Sequence, residues 1–413
     1  MSRGGRRAAL VVGAGPVGLT CALALQALGV QATVLEADPE DRPRPGSRAI
    51  YVHRASLELL ERIHPGLGRE IGAEGVVWPA KRTFWRGREV FARTYPPRPE
   101  GLLPPFTSLP QTEIERQLVR ACRAAGTEIV RGTQVAALAV STEGVEVRTA
   151  DGATWTAGYV IGADGARSAI RREIAVPMRG SRSENAFVVV DVAEDPDDPT
   201  RPARVFHYQH PAVDRRNVLL VPFAGGWRAD LQCRRGDDPA RFASDEGVRM
   251  WIAMVMGARY AQRITWVSTY RFLQVVAGAF TDPFRKVVLI GDAAHLFAPF
   301  GARGMNSGIA DAFVAAGAIG GALTAADSDA ARAAVEGFAV ERRDAALRNL
   351  EAAGQALTAM QPRRPRMWAK RRAAVMLAPR SQRAGAWLDS APYGPRLGDA
   401  RRRERRGAER SGY

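Results

Sequence analysis

Two short segments hold residue types suited to gripping a nucleotide: Gly13-Ala14-Gly15-Pro16-Val17-Gly18 near the start of the chain, and Gly291-Asp292-Ala293-Ala294-His295 far downstream. In the first, Gly13 permits a tight turn, Gly15 lets the backbone approach a pyrophosphate at a helix N-terminus, and Gly18 allows a helix to pack closely on a strand. The context suits that chemistry. Residues 8–12 form a short apolar run that reads as a buried strand, and residues 19–28 read as a helix. A second strand, Ala32–Leu35, ends at Glu36, whose carboxylate can accept hydrogen bonds from an adenosine ribose. A glycine-rich turn without a ligand has the same spacing, but the strand, helix and acidic residue in register weigh against it. Together the two segments describe the two ends of one extended dinucleotide.

In the downstream segment, Asp292 follows an apolar run at 287–290 and precedes a glycine-punctuated turn and a helix. A carboxylate there can bind a sugar-alcohol hydroxyl, while the helix N-terminus beyond it offers unpaired N–H groups to an electron-rich ring or a phosphate. The turn is Pro299-Phe300-Gly301-Ala302-Arg303-Gly304-Met305-Asn306, and its small residues let backbone lie against a flat ring. The alternative is a purely structural strand-to-helix turn. His295 reads as a hydrogen-bonded structural histidine beside the ligand rather than a base. Nothing near it has metal-ligand spacing, so no metal is expected.

Other elements must position these residues. After the opening βαβ unit and a proline-rich break at 39–45, helical spacing of apolar residues runs over 49–63 through Ile50, Leu57, Leu60 and Ile63. Residues 75–95 break into short strand-like pieces rich in aromatics, and 96–110 read as a proline-rich crossing linker. A helix starts at Gln111, with Thr112 as N-cap and Glu115 placed for a capping box. Strands are expected at 127–131, 134–141, 144–150 and 154–161, ahead of Gly162-Ala163-Asp164-Gly165-Ala166-Arg167-Ser168. Strand-like alternation returns over 185–271, with a polar loop at 195–202 and a helix at 245–256. Near 285 the chain re-enters the nucleotide-binding unit, and helices follow from 306 to about 388.

The pattern predicts a discontinuous nucleotide-binding domain (1–74, 105–180 and 281–340), a second module inserted into it (75–104 and 181–280), and a C-terminal helical segment with a basic tail (341–413).

The 413 residues carry a formal charge of +16, yet lysine occurs only at Lys81, Lys286 and Lys370. Arginine spread throughout an alanine- and glycine-rich chain resembles codon bias more than a nucleic-acid-binding stripe. Only the tail Arg401-Arg402-Arg403-Glu404-Arg405-Arg406 concentrates charge, and it has no interleaved aromatics. No nucleic-acid partner is expected, no run suggests a membrane span, and a homo-oligomer is left open. Cys21, Cys122 and Cys233 are odd in number and widely spaced, which suits a reducing cytoplasm better than a disulfide framework.

Over residues 8–325 the chain resembles the class A flavoprotein monooxygenases, the FAD-dependent aromatic hydroxylases of the para-hydroxybenzoate hydroxylase type. Three motifs in order carry the resemblance: the glycine fingerprint, Asp164-Gly165 with Arg167 and Ser168, and Gly291-Asp292. It implies an α/β fold with a Rossmann-like FAD-binding domain, an inserted and mostly antiparallel β-sheet domain for substrate, and a helical C-terminal segment. It also implies that Gly13, Gly15, Pro16, Gly18 and Glu36 hold the ADP half of FAD. By the same resemblance Arg48 and Gln111 contact FAD, and Asp164 touches both the flavin and the NAD(P)H site. Asp292 would hold the ribityl chain, and Pro299, Gly304, Met305 and Asn306 would line the isoalloxazine.

The implied activity is hydroxylation of an electron-rich ring (a phenol, a pyridinol or a polyketide-derived natural product) by way of a flavin C4a-hydroperoxide. FAD is the resident cofactor, NAD(P)H a transient reductant and O2 the oxidant. No second glycine fingerprint marks a nicotinamide domain, so NADH and NADPH are not distinguished. Phe223, Trp227, Pro299 and Phe300 are candidate substrate contacts. His207 and Tyr208 are candidates for deprotonating a ring hydroxyl. The family's usual Gly-Gly-Gln-Gly is here Gly301-Ala302-Arg303-Gly304. Arg303 reads first as a surface ion-pairing residue, and alternatively as the anchor for an anionic substrate.

The stretch 341–413 is too short for the thioredoxin-like domain of larger phenol hydroxylases. The tryptophan motif of the related halogenases is absent. The rival activity is an FAD-dependent reductase or dehydrogenase without productive oxygen transfer. A degenerate flavin-binding or nucleic-acid-associated protein fits poorly with three intact motifs.

Overall fold

The computed structural model describes residues 5–40, 50–97, 99, 101–361 and 365–395. Its first sheet has a parallel core in the spatial order Glu128–Val130, Ala32–Leu35, Arg7–Val12, Thr154–Gly162 and Val287–Leu289. Antiparallel strands Val145–Thr149 and Val135–Val140 extend it from the first half of Thr154–Gly162. The core strands are apolar runs because both faces are covered, as parallel sheets require. Helices Pro16–Ala27 and Arg303–Leu323 pack against each other and against this sheet. Leu10, Leu19, Leu23 and Leu25 are buried there, each stabilising the fold by roughly 1.5–3 kcal/mol.

Register decides where the motifs meet. Val12 lies opposite both Leu35 and Gly162, and Gly162 opposite Leu289. Gly13, Glu36, Asp164 and Gly291 therefore all emerge at the carboxyl edge of one parallel sheet, where open α/β sheets bind ligands.

The second sheet has eight strands, in the order His295–Leu296, Ile264–Ala277, Met178–Ala193, Gly226–Gln232, Arg216–Phe223, Arg204–His210, Ala80–Trp85 and Arg88–Thr94. All neighbours are antiparallel except Arg204–His210 with Ala80–Trp85. One face packs on helix Asp245–Met256 around Trp251, Val218 and Trp227. The other packs on Ala298 and Phe300 and on the C-terminal helices Ser328–Met360, Pro365–Leu377 and Gln382–Ser390. No helix among the described residues is long and apolar enough to cross a membrane. Nor do they hold a group of three or more His, Cys, Asp or Glu that could bind a metal ion.

Three local expectations are corrected. The helix expected over 49–63 starts at Arg54, because Tyr51–His53 pairs as a strand with Phe106–Ser108 from the expected linker. Thr112 is not an N-cap: Pro110 takes that position, and Glu115 accepts from Gln111 Nε2 (2.8 Å) instead of closing a capping box. The helix expected after Asn306 begins at Arg303, so the residues of the turn form its first coil. The basic tail lies outside the described residues.

Candidate cofactor and active site

Gly13 adopts φ +107°, and a Cβ on it would lie 2.5 Å from the Ala163 carbonyl oxygen. On Gly18 a Cβ would meet the Gly13 carbonyl at 1.9 Å, so only glycine lets the helix leave the strand this tightly. At Gly15 nothing stands within 4 Å of the Cβ position, and helix Pro16–Ala27 has no side-chain cap. Its first N–H groups thus face open space, which is how a backbone cradle admits phosphate. Glu36 accepts from Ala14 N (2.6 Å) and Asp38 N (2.9 Å), fixing its carboxylate beside the turn. A cleft of about 540 Å³ opens beside Ala14 and helix Gln111–Ala124, with Arg116, Arg120, Arg123 and Arg131 on its walls. Gln111 is the first residue of that helix. Arg48 lies outside the described residues.

The other two motifs are tied to this turn. Asp164 Oδ2 accepts from Ala169 N (2.6 Å) and Ile170 N (3.1 Å), while its Oδ1 is buried with no hydrogen-bond partner among the described residues. Arg171 donates to the Ala293 carbonyl (2.8 Å) and the Ala166 carbonyl (3.2 Å), linking the Asp-Gly motif to the Gly-Asp motif. Gly291 has φ +59°, and its Cβ position lies 3.1 Å from the Val17 side chain. A Cβ on Gly308 would come within 2.4 Å of Val17 Cγ2. The fingerprint helix and the downstream helix are therefore in contact at the motifs themselves.

Beneath the Gly-Asp turn, Asp311 is fully buried and accepts from Gly291 N (3.1 Å) and Arg342 Nε (2.7 Å), with His295 Nε2 at 2.6 Å. Burial opposes ionisation of Asp311, but His295 and Arg342 outweigh it and hold its carboxyl below the usual range. Asp292 is exposed, with its Oδ1 3.9 Å from the Cβ position of Gly304. It stands over the first turn of helix Arg303–Leu323, which also lacks a side-chain cap.

Asn306 locks that turn in place. Its Oδ1 accepts from His53 N (2.9 Å) and Ser56 Oγ (2.7 Å), and its Nδ2 donates to the Tyr51 carbonyl (2.9 Å) and the Ala302 carbonyl (2.8 Å). With the side chain fully engaged, Asn306 can meet a ring only through its backbone. Pro299 is exposed, while Gly304 and Met305 are half-buried.

Arg303 is not a surface residue, and among the described residues it has no ion-pair partner. Its buried guanidinium donates to Asn349 Oδ1 (3.0 Å) and to the Tyr393 (3.1 Å) and Pro395 (2.7 Å) carbonyls, and burial lowers its pKa. The surface reading of Arg303 is corrected: it ties the turn to the C-terminal segment.

The substrate candidates separate by strand alternation. Phe300 lies 5.2 Å from Phe187 and 5.7 Å from Phe272 between ring centroids, and Phe223 belongs to the same apolar cluster. Trp227 faces the opposite side, where it joins Val218 and Trp251 and donates to Glu194 Oε2. His207 also turns away from Phe300, stacks on Phe84 at 4.7 Å, and is driven to about 3 by burial, then by His210 and Arg82. Tyr208 is on the Phe300 side, but its hydroxyl donates to the Leu388 carbonyl (2.8 Å) and burial pushes its pKa well up. Neither is placed as a base: His207 stacks on Phe84 on the opposite face, and the Tyr208 hydroxyl is held by a carbonyl of the C-terminal helices, whose docking the sequence periodicity did not reveal.

The family profile described as FAD binding domain matches residues 6–353. The chain belongs to this FAD-binding family. A rifampicin monooxygenase of Rhodococcus hoagii is 28% identical over 74% of this chain and 62% of its own length. The 6-methylpretetramide 4-monooxygenase of Streptomyces rimosus is 31% identical over 74% of this chain and 54% of its own. The chain thus spans little more than half the length of these relatives. The crystal structure of a p-nitrophenol 4-monooxygenase from Pseudomonas putida superposes with a TM-score of 0.75 at 24% identity, covering 95% of this chain and 99% of that one. The fold is therefore of the para-hydroxybenzoate hydroxylase type.

The residues present suit FAD. The open glycine cradle, two helix N-termini without side-chain caps and the buried, unpartnered Asp164 Oδ1 all lie along one edge. Arg171, Asp311 and His53, the backbone partner of Asn306, were not foreseen as site residues. For Asp311 a signal existed: it is the one acidic residue in the apolar stretch Arg303–Leu323.

Proposed function

We propose that the protein is an FAD-dependent monooxygenase that uses NAD(P)H and O2 to hydroxylate an electron-rich aromatic ring. The observation that carries this reading is the convergence of all three motifs at one sheet edge, facing the aromatic side of the second sheet through Phe300, Phe187 and Phe272. Relatives named for rifampicin and 6-methylpretetramide support a polyketide-derived aromatic substrate.

In this reading Gly13, Gly15, Pro16 and Gly18 cradle the pyrophosphate, Glu36 takes the adenosine ribose, and Arg48 and Gln111 add contacts. Asp292 takes the ribityl hydroxyls, Asp164 lies at the flavin edge, and Pro299, Gly304, Met305 and the Asn306 backbone line the ring. Bound FAD would supply electron transfer from NAD(P)H and activation of O2. The chain supplies position and field. N–H groups at the start of helix Arg303–Leu323 favour negative charge beside them, and Phe187, Phe223, Phe272 and Phe300 exclude water from the substrate side. The first sheet with its helices serves as the cofactor domain, and the second sheet as the substrate domain.

The test is NAD(P)H oxidation and O2 uptake by the FAD-loaded protein against phenols, pyridinols and polyketide-type aromatics, with H2O2 titrated alongside. The reading expects one class to accelerate oxidation with little peroxide. Oxidation of NAD(P)H with no oxygenated product from any class would move the reductase reading ahead.

A further inference from the structure

Alternation along Gly226–Gln232 puts Arg228, Asp230 and Gln232 on the face of the second sheet that looks toward Phe300. Asp230 stands opposite Val189 on one side and Leu219 on the other, and Leu219 stands opposite Phe206. Leu219 and Phe206 share an apolar cluster with Phe187, Phe223 and Phe300. Two positions along the strand, Gln232 lies opposite Phe187, whose ring is 5.2 Å from Phe300.

The charged groups around Asp230 have partners of their own. Arg228 on the same strand binds Asp191 of the neighbouring strand at 2.9 and 3.2 Å. On the far side Arg204 pairs with Asp389 of the C-terminal helices and lies over the ring of Tyr393. Asp230 differs: its Oδ1 is buried and accepts no hydrogen bond among the described residues. The Tyr393 hydroxyl is likewise buried without a partner. A buried carboxyl oxygen lacking a donor is costly, and a purely structural role would supply one. Burial raises the Asp230 pKa to about 7, with Arg228 lowering it and Asp191 raising it.

We infer that Asp230 is a substrate-recognition residue whose free carboxyl oxygen accepts a hydrogen bond from a hydroxyl on the aromatic ring. The inference rests on the monooxygenase reading and narrows its substrate class to uncharged hydroxyarenes. An aromatic carboxylate would meet Asp230 and Asp191 while the nearby cations Arg228 and Arg204 are already paired with acids. An ionised Asp230 is the better acceptor, so affinity for a hydroxyarene rises as pH passes upward through about 7.

The test compares 2-naphthol with 2-methoxynaphthalene as ligands of the oxidised, FAD-loaded protein. Dissociation constants are read from the flavin absorption change at pH 8, without NAD(P)H. The wild type is expected to favour the naphthol by roughly 10- to 100-fold, the range for a hydrogen bond to a charged group. Asp230→Leu should erase that preference and Asp230→Asn, whose amide oxygen still accepts but carries no charge, should cut it to roughly tenfold or less, each leaving affinity for the ether within about twofold, the scatter expected of a group that makes no bond to it. The wild-type preference should shrink below pH 7, and the Asn variant should show no such dependence. The inference is overturned if Asp230→Leu keeps the preference, or if the wild type shows none, including by binding neither probe. Asp230-dependent discrimination without any oxygenated product would leave this assignment standing and sink the monooxygenase reading instead. Oxygenated product with discrimination that ignores Asp230 would do the reverse.

Discussion

Replacing Gly308 with alanine tests whether the two distant motifs form one site. The added Cβ would lie 2.4 Å from Val17 Cγ2 and 3.3 Å from Gly291 Cα. Carbon atoms pack at about 3.5–4.0 Å, so helix Arg303–Leu323 must retreat from the fingerprint helix by about 1 Å or rotate Val17. Overpacking of that size costs roughly 1–3 kcal/mol. Because Gly291 and Asp292 sit at the same contact, the retreat also separates the groups proposed for the two halves of FAD. The expected result is lower thermal stability and an FAD dissociation constant raised roughly tenfold or more, read by quenching of flavin fluorescence on titration into apoprotein. Val17→Ala removes the obstructing methyl, so the double variant should recover at least about 1 kcal/mol relative to the sum of the singles. Strictly additive effects, or unchanged FAD affinity in Gly308→Ala, would refute the close-contact argument.

Three further substitutions probe the surrounding network. Asp311→Asn removes the partner of both His295 and Arg342 and should cost about 3–5 kcal/mol at neutral pH. Because the folded Asp311 pKa is lowered, its contribution is present above the unfolded value and lost as pH falls through the folded one, so the gap between variant and wild type should close in acid by denaturant titration. Asp230→Asn should behave oppositely. The folded pKa is raised from 3.8 to about 7, so wild-type stability is lost as pH rises between those values, and the variant should gain up to about 4 kcal/mol above pH 7 and nothing near pH 3. Arg303→Met leaves the Tyr393 and Pro395 carbonyls and Asn349 without their donor, costing about 1–3 kcal/mol. Proteolysis should then open the segment at 391–395, and affinity for neutral and anionic aromatics should change equally; selective loss of anionic ligands would restore Arg303 as a substrate anchor.

The nucleotide-binding half was legible because its constraints are local. Gly18 is dictated by the Gly13 carbonyl within one βαβ unit, and the apolar runs of a parallel sheet announce themselves, whereas the approach of Gly13 to the Ala163 carbonyl crosses to a distant strand. Gly291-Asp292 was legible through its strand and turn, although its contact with Val17 was not. The substrate side was less so. Which face Trp227, His207 and Tyr208 take depends on sheet register and on helices Pro365–Leu377 and Gln382–Ser390, whose docking no periodicity reveals. Alternation in Gly-Trp-Arg-Ala-Asp-Leu-Gln did carry a clue, since it puts Arg228, Asp230 and Gln232 together opposite Trp227 and Leu231. The capping signal at Thr112 failed because Pro110 takes the N-cap two residues earlier. Arg303 resembled a surface charge because its acceptors, Asn349 Oδ1 and the Tyr393 and Pro395 carbonyls, lie far along the chain.

The central claim is that the converging motifs serve transfer of an oxygen atom from O2 to an aromatic ring. The most direct measurement is mass spectrometry of the product formed by the FAD-loaded protein with NAD(P)H and a hydroxyarene under 18O2, with a parallel reaction in H2 18O. The account predicts one 18O atom per product molecule under 18O2 and none from labelled water. Label from water, or consumption of NAD(P)H with unlabelled arene recovered intact, would contradict it.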